Sequence, residues 1–482
     1  MSSIKNVIKN SGVYSIVSFL QKAIGFILLP VYTIYLSTSD YGIISIVTAM
    51  ISFLSVFYML SLQSSISRFY YDYKDDSEKT NQLFGTILNF ILLLSIALTL
   101  IFIIFKDYLI APFTKGIPFY PYIFIGILVV FLNPVYLIFQ TILQTKQESK
   151  SYALNQFLFF IINLSLTVLL VVFFNMKAKG VLYAILFTNI IFFAYSVIHF
   201  IPIIKTGINF GLLKVTLIYS LPLLPHSLSA WSITLIDRFF INGLVGTSNV
   251  GIYNVGFQIA SIVGIISIAI NQAFVPWFFD KMKNNSNSKN EIIKFAEFIN
   301  LGICIVAFMI SLFCSDILHL MVSENYRIGW KVVPFICFGS VLNNLYFFFV
   351  NPLFFNKSGT KYIPIITIIS AVLGIILNII LIPLFGIIGS AIANLTSWLF
   401  TSIIALLISN KIEKINYRVG KMYFIIILFF SVSLLTFIPL SFSFATILSI
   451  KILLLISVFA IIWFTNMKEY RTSLQIVYSK FK

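Results

Sequence analysis

The amino-acid sequence predicts an all-α integral membrane protein with about fourteen transmembrane helices. The chain of 482 residues carries 32 Lys and Arg and 15 Asp and Glu, so that charged residues make up 10% of it. Soluble domains have roughly 25% charged residues. Apolar residues account for 60% of the sequence, and apolar runs recur along nearly all of it. The lipid bilayer is therefore the expected solvent for most of the chain.

A helix that crosses the bilayer needs about 20 mostly apolar residues. Runs of this kind occur fourteen times in the sequence. The predicted spans are residues 12–36, 42–67, 83–105, 119–143, 153–174, 180–204, 215–241, 250–275, 293–314, 330–354, 362–383, 386–409, 422–440 and 443–465.

The distribution of basic residues predicts the orientation in the membrane. The formal net charge is +17, and an excess of Lys and Arg in a membrane protein is typical of cytoplasmic loops. If the N-terminus is cytoplasmic and residues within two positions of a span end are counted with the adjoining loop, 23 basic residues fall on the inner side, six on the outer side and three within spans. Both termini are therefore predicted to be cytoplasmic, and no nucleic-acid partner is expected.

The sequence contains an internal repeat with an offset of about 209 residues. Residues 38–43 read TSDYGI and residues 247–252 read TSNVGI, while FYYD at 69–72 is matched by WFFD at 277–280. Two six-helix bundles are implied, at residues 1–210 and 211–415, followed by helices 13 and 14 with a cytoplasmic tail at 416–482. Because six is an even number, a pseudo-twofold axis along the membrane normal should relate the bundles, and a substrate site is expected between them.

Several kinds of chemistry are excluded by what the sequence lacks. No G-x-x-x-x-G-K-[ST] loop occurs, and the polar connections are too short for an extramembrane catalytic domain. The three cysteines all lie in apolar runs, which argues against a disulfide framework or a metal cluster. We therefore expect neither enzymatic activity nor a cofactor nor a metal.

Five motifs together resemble polysaccharide-exporter flippases of the multidrug/oligosaccharidyl-lipid/polysaccharide superfamily. The resemblance covers nearly the whole chain and departs from the family at Ser61, where relatives often have glycine, so that local helix packing there is expected to differ. The motifs are the TSDYGI turn at 38–43, Ser64–Tyr70, Asp237–Ile241, Gln272–Trp277, and Leu377–Pro383 with Gly386 and Gly389.

The resemblance implies a flippase of the bacterial inner membrane, like the O-antigen and capsule-repeat translocases of the family. Its substrate would be an undecaprenyl-pyrophosphate-linked oligosaccharide, carried from the inner to the outer leaflet. Fourteen spans also match the lipid II flippase branch, which keeps that substrate open. Membrane lipids, glycosyltransferases and a polysaccharide polymerase are the implied partners.

Lys22 and Arg68 are the predicted partners of the pyrophosphate. Lys22 lies about ten residues into the first span, or about 15 Å deep at 1.5 Å per residue. A cation at this depth is costly and usually faces a cavity or a partner. Arg68 ends the second span, where it could contact the pyrophosphate on entry or anchor to lipid headgroups. A lysine that is satisfied by backbone carbonyls or a neighbouring helix is the alternative for Lys22.

Four more residues complete the predicted site. Asp237 is the candidate for proton or sodium coupling, and its neighbour Arg238 is a candidate for substrate binding, with a structural ion pair as the alternative for both. Adjacent helical residues lie about 100° apart, so the two side chains are expected to diverge. Asn254 and Gln258 are four residues apart on one helix face and could bind sugar. Gln140 is one of several further amides within spans, most of which interhelical hydrogen bonds would explain.

Two other functions remain open from the sequence. A small-molecule or multidrug exporter of the same superfamily is the first, although one acid beside three intramembrane cations favours an anionic cargo. An O-antigen polymerase or ligase is the second, although such enzymes need paired acid and base groups.

Overall fold

A computed structural model describes residues 25–204, 207–284, 288–356, 358–438, 446 and 448–457. Within these ranges the chain is almost entirely helical and has no β-strand. The prediction of an all-α membrane fold is confirmed.

The helices follow one another with short connections. Two of them are extended by a π-helical turn, with Phe119–Ile123 before α6 and Leu169–Phe173 after α7, and a 3₁₀ segment at Glu324–Val332 precedes α14. The helices are α1 (Leu29–Tyr35), α2 (Thr38–Met59), α3 (Leu62–Tyr73), α4 (Ser77–Ile104), α5 (Lys106–Leu109), α6 (Phe124–Thr145), α7 (Ser149–Val168), α8 (Lys177–Ile204), α9 (Phe210–Ser220), α10 (Leu224–Leu235), α11 (Asp237–Val245), α12 (Thr247–Asn284), α13 (Ser288–Met321), α14 (Val333–Phe355), α15 (Tyr362–Phe385), α16 (Ile387–Ile412), α17 (Val419–Leu434) and α18 (Leu448–Ser457).

In the described part of the chain, 11 helices are long and apolar enough to cross a membrane. They correspond to eleven of the predicted spans. The first and fourteenth predicted spans lie partly outside the described residues, and the seventh is broken into shorter helices. The number of fourteen spans stays a prediction.

The seventh predicted span is interrupted at a pair of prolines. α9 ends at Ser220, a 3₁₀ turn covers Leu221–Leu223, and α10 starts at Leu224. Pro222 and Pro225 lie at this junction, where the missing N–H of proline removes helical hydrogen bonds. With a further break at Ile236, the predicted span becomes the three helices α9, α10 and α11.

Several helix starts are encoded by capping residues. The Ser37 hydroxyl accepts a hydrogen bond from the Asp40 N–H at 3.1 Å, while the Asp40 carboxylate accepts one from the Ser37 N–H at 3.1 Å. This capping box satisfies N–H groups that the first turn of α2 leaves without partners. Asp76 caps α4 by accepting from the Lys79 N–H at 3.0 Å.

Contacts divide the chain into two compact units. Unit 1 contains the described residues up to Asn254 together with Asn378–Ile387, and unit 2 contains the remaining described residues. The predicted bundle boundaries at residues 210 and 415 follow the sequence repeat, and they stay a prediction.

The core of unit 1 lies between α2, α3, α4, α6 and α8. α4 contributes Leu83, Phe84, Ile87 and Leu88, all fully buried, at the spacing of one helix face. Further along the same helix, apolar side chains such as Ile104 are exposed, at 69%. Apolar side chains gain nothing by leaving lipid, so such a surface suits the membrane.

In unit 2, α13 packs against α14 and α17. Phe308 and Phe429 meet edge to face across the second of these contacts, with ring centroids 5.4 Å apart. Cys304, Cys314 and Cys337 are buried here as free thiols.

Candidate functional site

A polar cavity lies within unit 1 and has a volume of about 410 Å³. Helices α2, α3, α6, α7 and α10 contribute to its wall. Of the thirteen lining residues that the described part of the chain supplies, ten carry a hydroxyl or amide group, and none carries a charge. They are Ser52, Ser55, Ser61, Gln63, Gln140, Thr141, Gln144, Tyr152, Gln156 and Ser227.

The lining residues recur at helical spacing. Gln140 and Gln144 are four apart on α6, and Tyr152 and Gln156 are four apart on α7, so each pair lies on one helix face. This spacing was readable in the sequence for each helix separately. What the sequence does not reveal is that the two faces meet each other and the serines of α2.

A break in the second predicted span shapes this cavity. α2 ends at Met59, and α3 begins at Leu62. Between them, Leu60 and Ser61 have φ values of 45° and 56°, in the left-handed region that favours glycine. Ser61 is thereby placed in the cavity wall, where its hydroxyl lies 3.4 Å from that of Ser227. The expected difference in local packing at Ser61 stays a prediction.

Two amides in the cavity have atoms without hydrogen-bond partners. Gln140 is 4% exposed, and neither its Oε1 nor its Nε2 has a partner among the described residues. The Oε1 of Gln63 is likewise buried and unpaired within that part of the chain. In contrast, Gln156 accepts a hydrogen bond from the Tyr136 hydroxyl at 3.4 Å. A buried polar atom without a partner costs about 1–3 kcal/mol, so Gln63 and Gln140 are suited to receive polar groups of a ligand.

Arg68 lies at the edge of an adjoining cavity of about 430 Å³. This cavity shares Gln63, Thr141 and Gln144 with the polar cavity, so the two are neighbours. The Arg68 side chain is 51% exposed, and its guanidinium donates to Asp72 at 2.8 Å. The hydrogen bond and charge of Asp72 raise the pKa of Arg68 above its usual value. A permanently charged guanidinium therefore stands beside an uncharged polar cavity.

Asp237 and Arg238 are buried and bonded to each other, at 2.5 Å. Asp237 also accepts a hydrogen bond from the Tyr253 hydroxyl at 2.6 Å, and Arg238 donates to the backbone oxygen of Thr234 at 2.8 Å. The expectation that these adjacent side chains diverge is wrong, because the long guanidinium folds back to the neighbouring carboxylate. Both charges are therefore satisfied within unit 1.

Asn254 and Gln258 are half-buried on α12, and neither lines the polar cavity. The Asn254 side chain hydrogen-bonds Tyr41. The backbone oxygen of Gln258 accepts from the Ser261 hydroxyl at 2.7 Å. Lys22, the predicted partner of the pyrophosphate, lies outside the described residues.

Two ionic clusters in unit 2 were not predicted from the sequence. Glu297 on α13 is 4% exposed and lies 3.2 Å from Lys421 and 3.6 Å from Arg418. The Lys451 ammonium donates to Asp316 at 2.5 Å, which joins α18 to α13. Glu297 falls within the ninth predicted span, so the count of one intramembrane acid is wrong, and the position of Glu297 was a signal that this acid needs a buried cation.

A second, apolar cavity of about 710 Å³ lies elsewhere in unit 1. Aromatic side chains from α2, α4, α10 and α11 form much of its wall, including Phe53, Phe57, Phe102, Trp231 and Phe239. α2 therefore presents serines to the polar cavity and phenylalanines to this apolar one.

The fold and the polar cavity define a class of protein, the multi-pass helical membrane transporters. Residues 7–282, more than half of the chain, match the polysaccharide biosynthesis protein family. The protein belongs to this family.

Relatives from one bacterium match most of the chain. An Lsg-locus protein of Haemophilus influenzae is 28% identical over 404 residues, which covers 80% of this chain and 95% of that protein. A membrane protein of the same organism is 26% identical over 376 residues, covering 76% of this chain and 88% of the relative.

Solved transporter structures share the fold. The lipid II flippase MurJ in an inward closed conformation aligns with a TM-score of 0.67 at 18% identity, covering 94% of this chain and 99% of that one. An inward-facing multidrug resistance MATE transporter of the MOP superfamily aligns with a TM-score of 0.59 at 16% identity, covering 83% and 95%. Together with the family match, this fold confirms the resemblance to polysaccharide-exporter flippases of that superfamily.

Proposed function

We propose that the protein is a flippase that moves an undecaprenyl-pyrophosphate-linked oligosaccharide from the inner to the outer leaflet of the bacterial inner membrane. One observation carries the proposal. A cavity of amides and hydroxyls lies among membrane-spanning helices, next to a cavity whose edge holds Arg68. The first suits a sugar, and the second suits a pyrophosphate.

The polar cavity supports a sugar cargo because sugars lose many hydrogen bonds when they leave water. Moving a hydroxyl into an apolar medium without a new partner costs several kcal/mol. The amides of Gln63, Gln140 and Gln144 and the neighbouring hydroxyls offer replacement partners at membrane depth. A wall of lipid or of leucine side chains offers none.

The position of Arg68 supports a substrate that has an anionic headgroup next to its sugar. A guanidinium has five N–H donors and binds phosphate in a planar, two-point geometry. One nitrogen of Arg68 is engaged by Asp72, which leaves donors for a pyrophosphate. Lys22 is the second cation in the proposal, placed there by its position in the sequence alone.

Asp237 remains our candidate for coupling transport to a proton or sodium gradient. Its carboxylate is buried and held by Arg238 and Tyr253, so protonation would release an arginine inside the protein. Arg238, Asn254 and Gln258 were also expected to bind substrate. Since none of the three lines the polar cavity, the proposal for substrate binding rests on Arg68 and the amides.

Alternating access follows from the superfamily assignment and the predicted repeat, in which two bundles rock around a central site. Glycosyltransferases would supply the lipid-linked oligosaccharide on the inner side, and a polymerase would consume it on the outer side. Export of an unlinked small molecule by the same motion is the competing function.

Reconstitution of the purified protein in liposomes tests the proposal. A lipid-linked oligosaccharide with a radiolabelled sugar is incorporated, and the fraction open to a membrane-impermeant glycosidase is followed with time. We expect the inner pool to become accessible faster than in protein-free liposomes. An unchanged rate would reject the flippase assignment, and protein-dependent efflux of cationic dyes from the same vesicles would favour the small-molecule exporter.

A further inference from the structure

The unpaired amide atoms of the polar cavity specify the chemistry of what it binds. Among the described residues, Gln140 presents one acceptor and one two-hydrogen donor without partners, and Gln63 adds an unpaired acceptor. A sugar hydroxyl can donate to a carbonyl oxygen and accept from an amide nitrogen at the same time. A pair of neighbouring hydroxyls is therefore complementary to the Gln140 amide.

We propose that this cavity binds an uncharged sugar residue of the substrate and that Gln140 and Gln63 select it against acidic sugars. The inference rests on the proposed flippase function and adds to it the class of sugar. The sugar would be selected in unit 1 by Gln140 and Gln63, whereas the pyrophosphate would be bound by a different residue, Arg68.

The absence of charge from the lining residues is what excludes acidic sugars. None of the thirteen described lining residues is Asp, Glu, Lys or Arg. A carboxylate that enters such a cavity loses its hydration and gains no counter-charge, which is far more costly than burying a hydroxyl. The two unpaired carbonyl oxygens of Gln63 and Gln140 also present partial negative charge to it.

The size of the cavity agrees with a small glycan portion. Sites for small molecules have volumes of roughly 300–1,000 Å³. The polar cavity, at about 410 Å³, lies near the lower end of this range. Its neighbour at Arg68 adds space for the linked pyrophosphate, so one sugar and its anionic linkage can be held side by side.

Two lipid-linked probes that differ in one group test the inference. They are polyprenyl-pyrophosphate-linked glucose and the matching glucuronic acid compound, which differ only at the C6 carboxylate. We expect the reconstituted protein to flip the glucose probe at least about tenfold faster, because the carboxylate of the other probe would be buried in the cavity without a counter-charge. Gln140→Leu should slow the glucose probe about tenfold by removing both hydrogen-bonding atoms.

Gln82→Leu is the matched control, because Gln82 lies on α4 and does not line the cavity. It should leave both rates unchanged. Thermal unfolding of each variant in detergent separates binding from folding. Gln140→Leu removes two unpaired buried atoms, so its melting temperature without substrate should equal or exceed that of the wild type.

The outcomes of these experiments distinguish failure of the sugar selection from failure of the flippase function. Equal flipping of both probes by the wild type would overturn the selection of uncharged sugars while leaving the flippase function intact. A glucose preference that survives in Gln140→Leu and in Gln63→Leu would show that selection occurs elsewhere. Flipping of neither probe, nor of the oligosaccharide used to test the proposed function, would overturn both.

Discussion

Gly42 and Gly251, which occupy equivalent positions in the predicted repeat, pack against the start of each other's helix. A side chain at Gly42 would collide with the backbone carbonyl of Thr247, and one at Gly251 would collide with that of Thr38. The site of a Cβ on Gly251 is also 3.1 Å from the Gly42 nitrogen. The contact is reciprocal within unit 1, as expected if the two segments are related by a twofold axis.

Gly42→Ala should destabilise the protein, because the added methyl group must push two helix starts apart. Overpacking of this kind typically costs about 1–3 kcal/mol. The measurement is thermal unfolding of the purified protein in detergent. Gly243→Ala is the control, since Gly243 is also helical and has no atom within 4 Å of the added Cβ. If Gly42→Ala unfolds at the same temperature as Gly243→Ala, the close approach of the two helices is wrong.

Asp237→Asn should lower the free energy of unfolding by about 3–5 kcal/mol, because it leaves the buried Arg238 without its counter-charge. Tyr253→Phe removes one neutral donor and should cost only about 1 kcal/mol. Replacing both charged groups, as Asp237→Leu with Arg238→Met, should recover most of the loss. Denaturation in detergent measures all three, and equal stability of Asp237→Asn and wild type would contradict the buried pair.

Asp237→Asn should also remove the dependence of transport on an imposed proton or sodium gradient. A carboxylate that exchanges an ion can no longer do so as an amide. The initial rate of flipping is measured in liposomes with and without each gradient, using preparations corrected for folded protein. A variant that still responds fully to the gradients would assign Asp237 to structure alone.

Ser61→Gly should stabilise the protein by about 1 kcal/mol, because left-handed backbone costs an L-residue about 1–2 kcal/mol and costs glycine almost nothing. Ser55→Gly is the counterpart on regular helix, where glycine should be destabilising. Melting temperatures of the two variants should therefore move in opposite directions. A lower melting temperature for Ser61→Gly would contradict the left-handed conformation.

Arg68→Gln should slow flipping of a lipid-linked oligosaccharide by about tenfold or more, since hydrogen bonds to charged groups contribute about 1.5–3 kcal/mol. Arg68→Lys should retain part of the activity because it keeps the charge and loses the planar geometry. Lys79→Gln is the control, a surface cation that is paired with Asp76 and lies in neither cavity. Equal slowing by Lys79→Gln would indicate a general effect of surface charge.

Hydrophobic composition and span length were sufficient to predict the class of fold, and the motifs were sufficient to predict the family. The pairing of Asp237 with Arg238 could not be predicted from the sequence. Helical spacing fixes the direction in which a side chain leaves the helix, but it does not fix the position of the guanidinium at the end of a long, flexible arginine. The break at Leu60 and Ser61 was hidden by the apolar run around it, since a leucine carries no signal for left-handed backbone. The polar cavity was missed because five helices must meet before glutamines that look like packing amides line one cavity.

Leu60 and Ser61, both in the left-handed conformation, separate α2 from α3, the helix that carries Arg68. The side chains of α3 therefore do not continue the helical spacing of α2. Adding one residue to α3 between Leu62 and Ser67 would rotate the guanidinium by about 100° and shift it by about 1.5 Å, while the serines of α2 stayed in place. Under the proposed function, a single insertion of this kind would change how a homologue contacts the anionic linkage without changing the cavity wall proposed to bind the sugar.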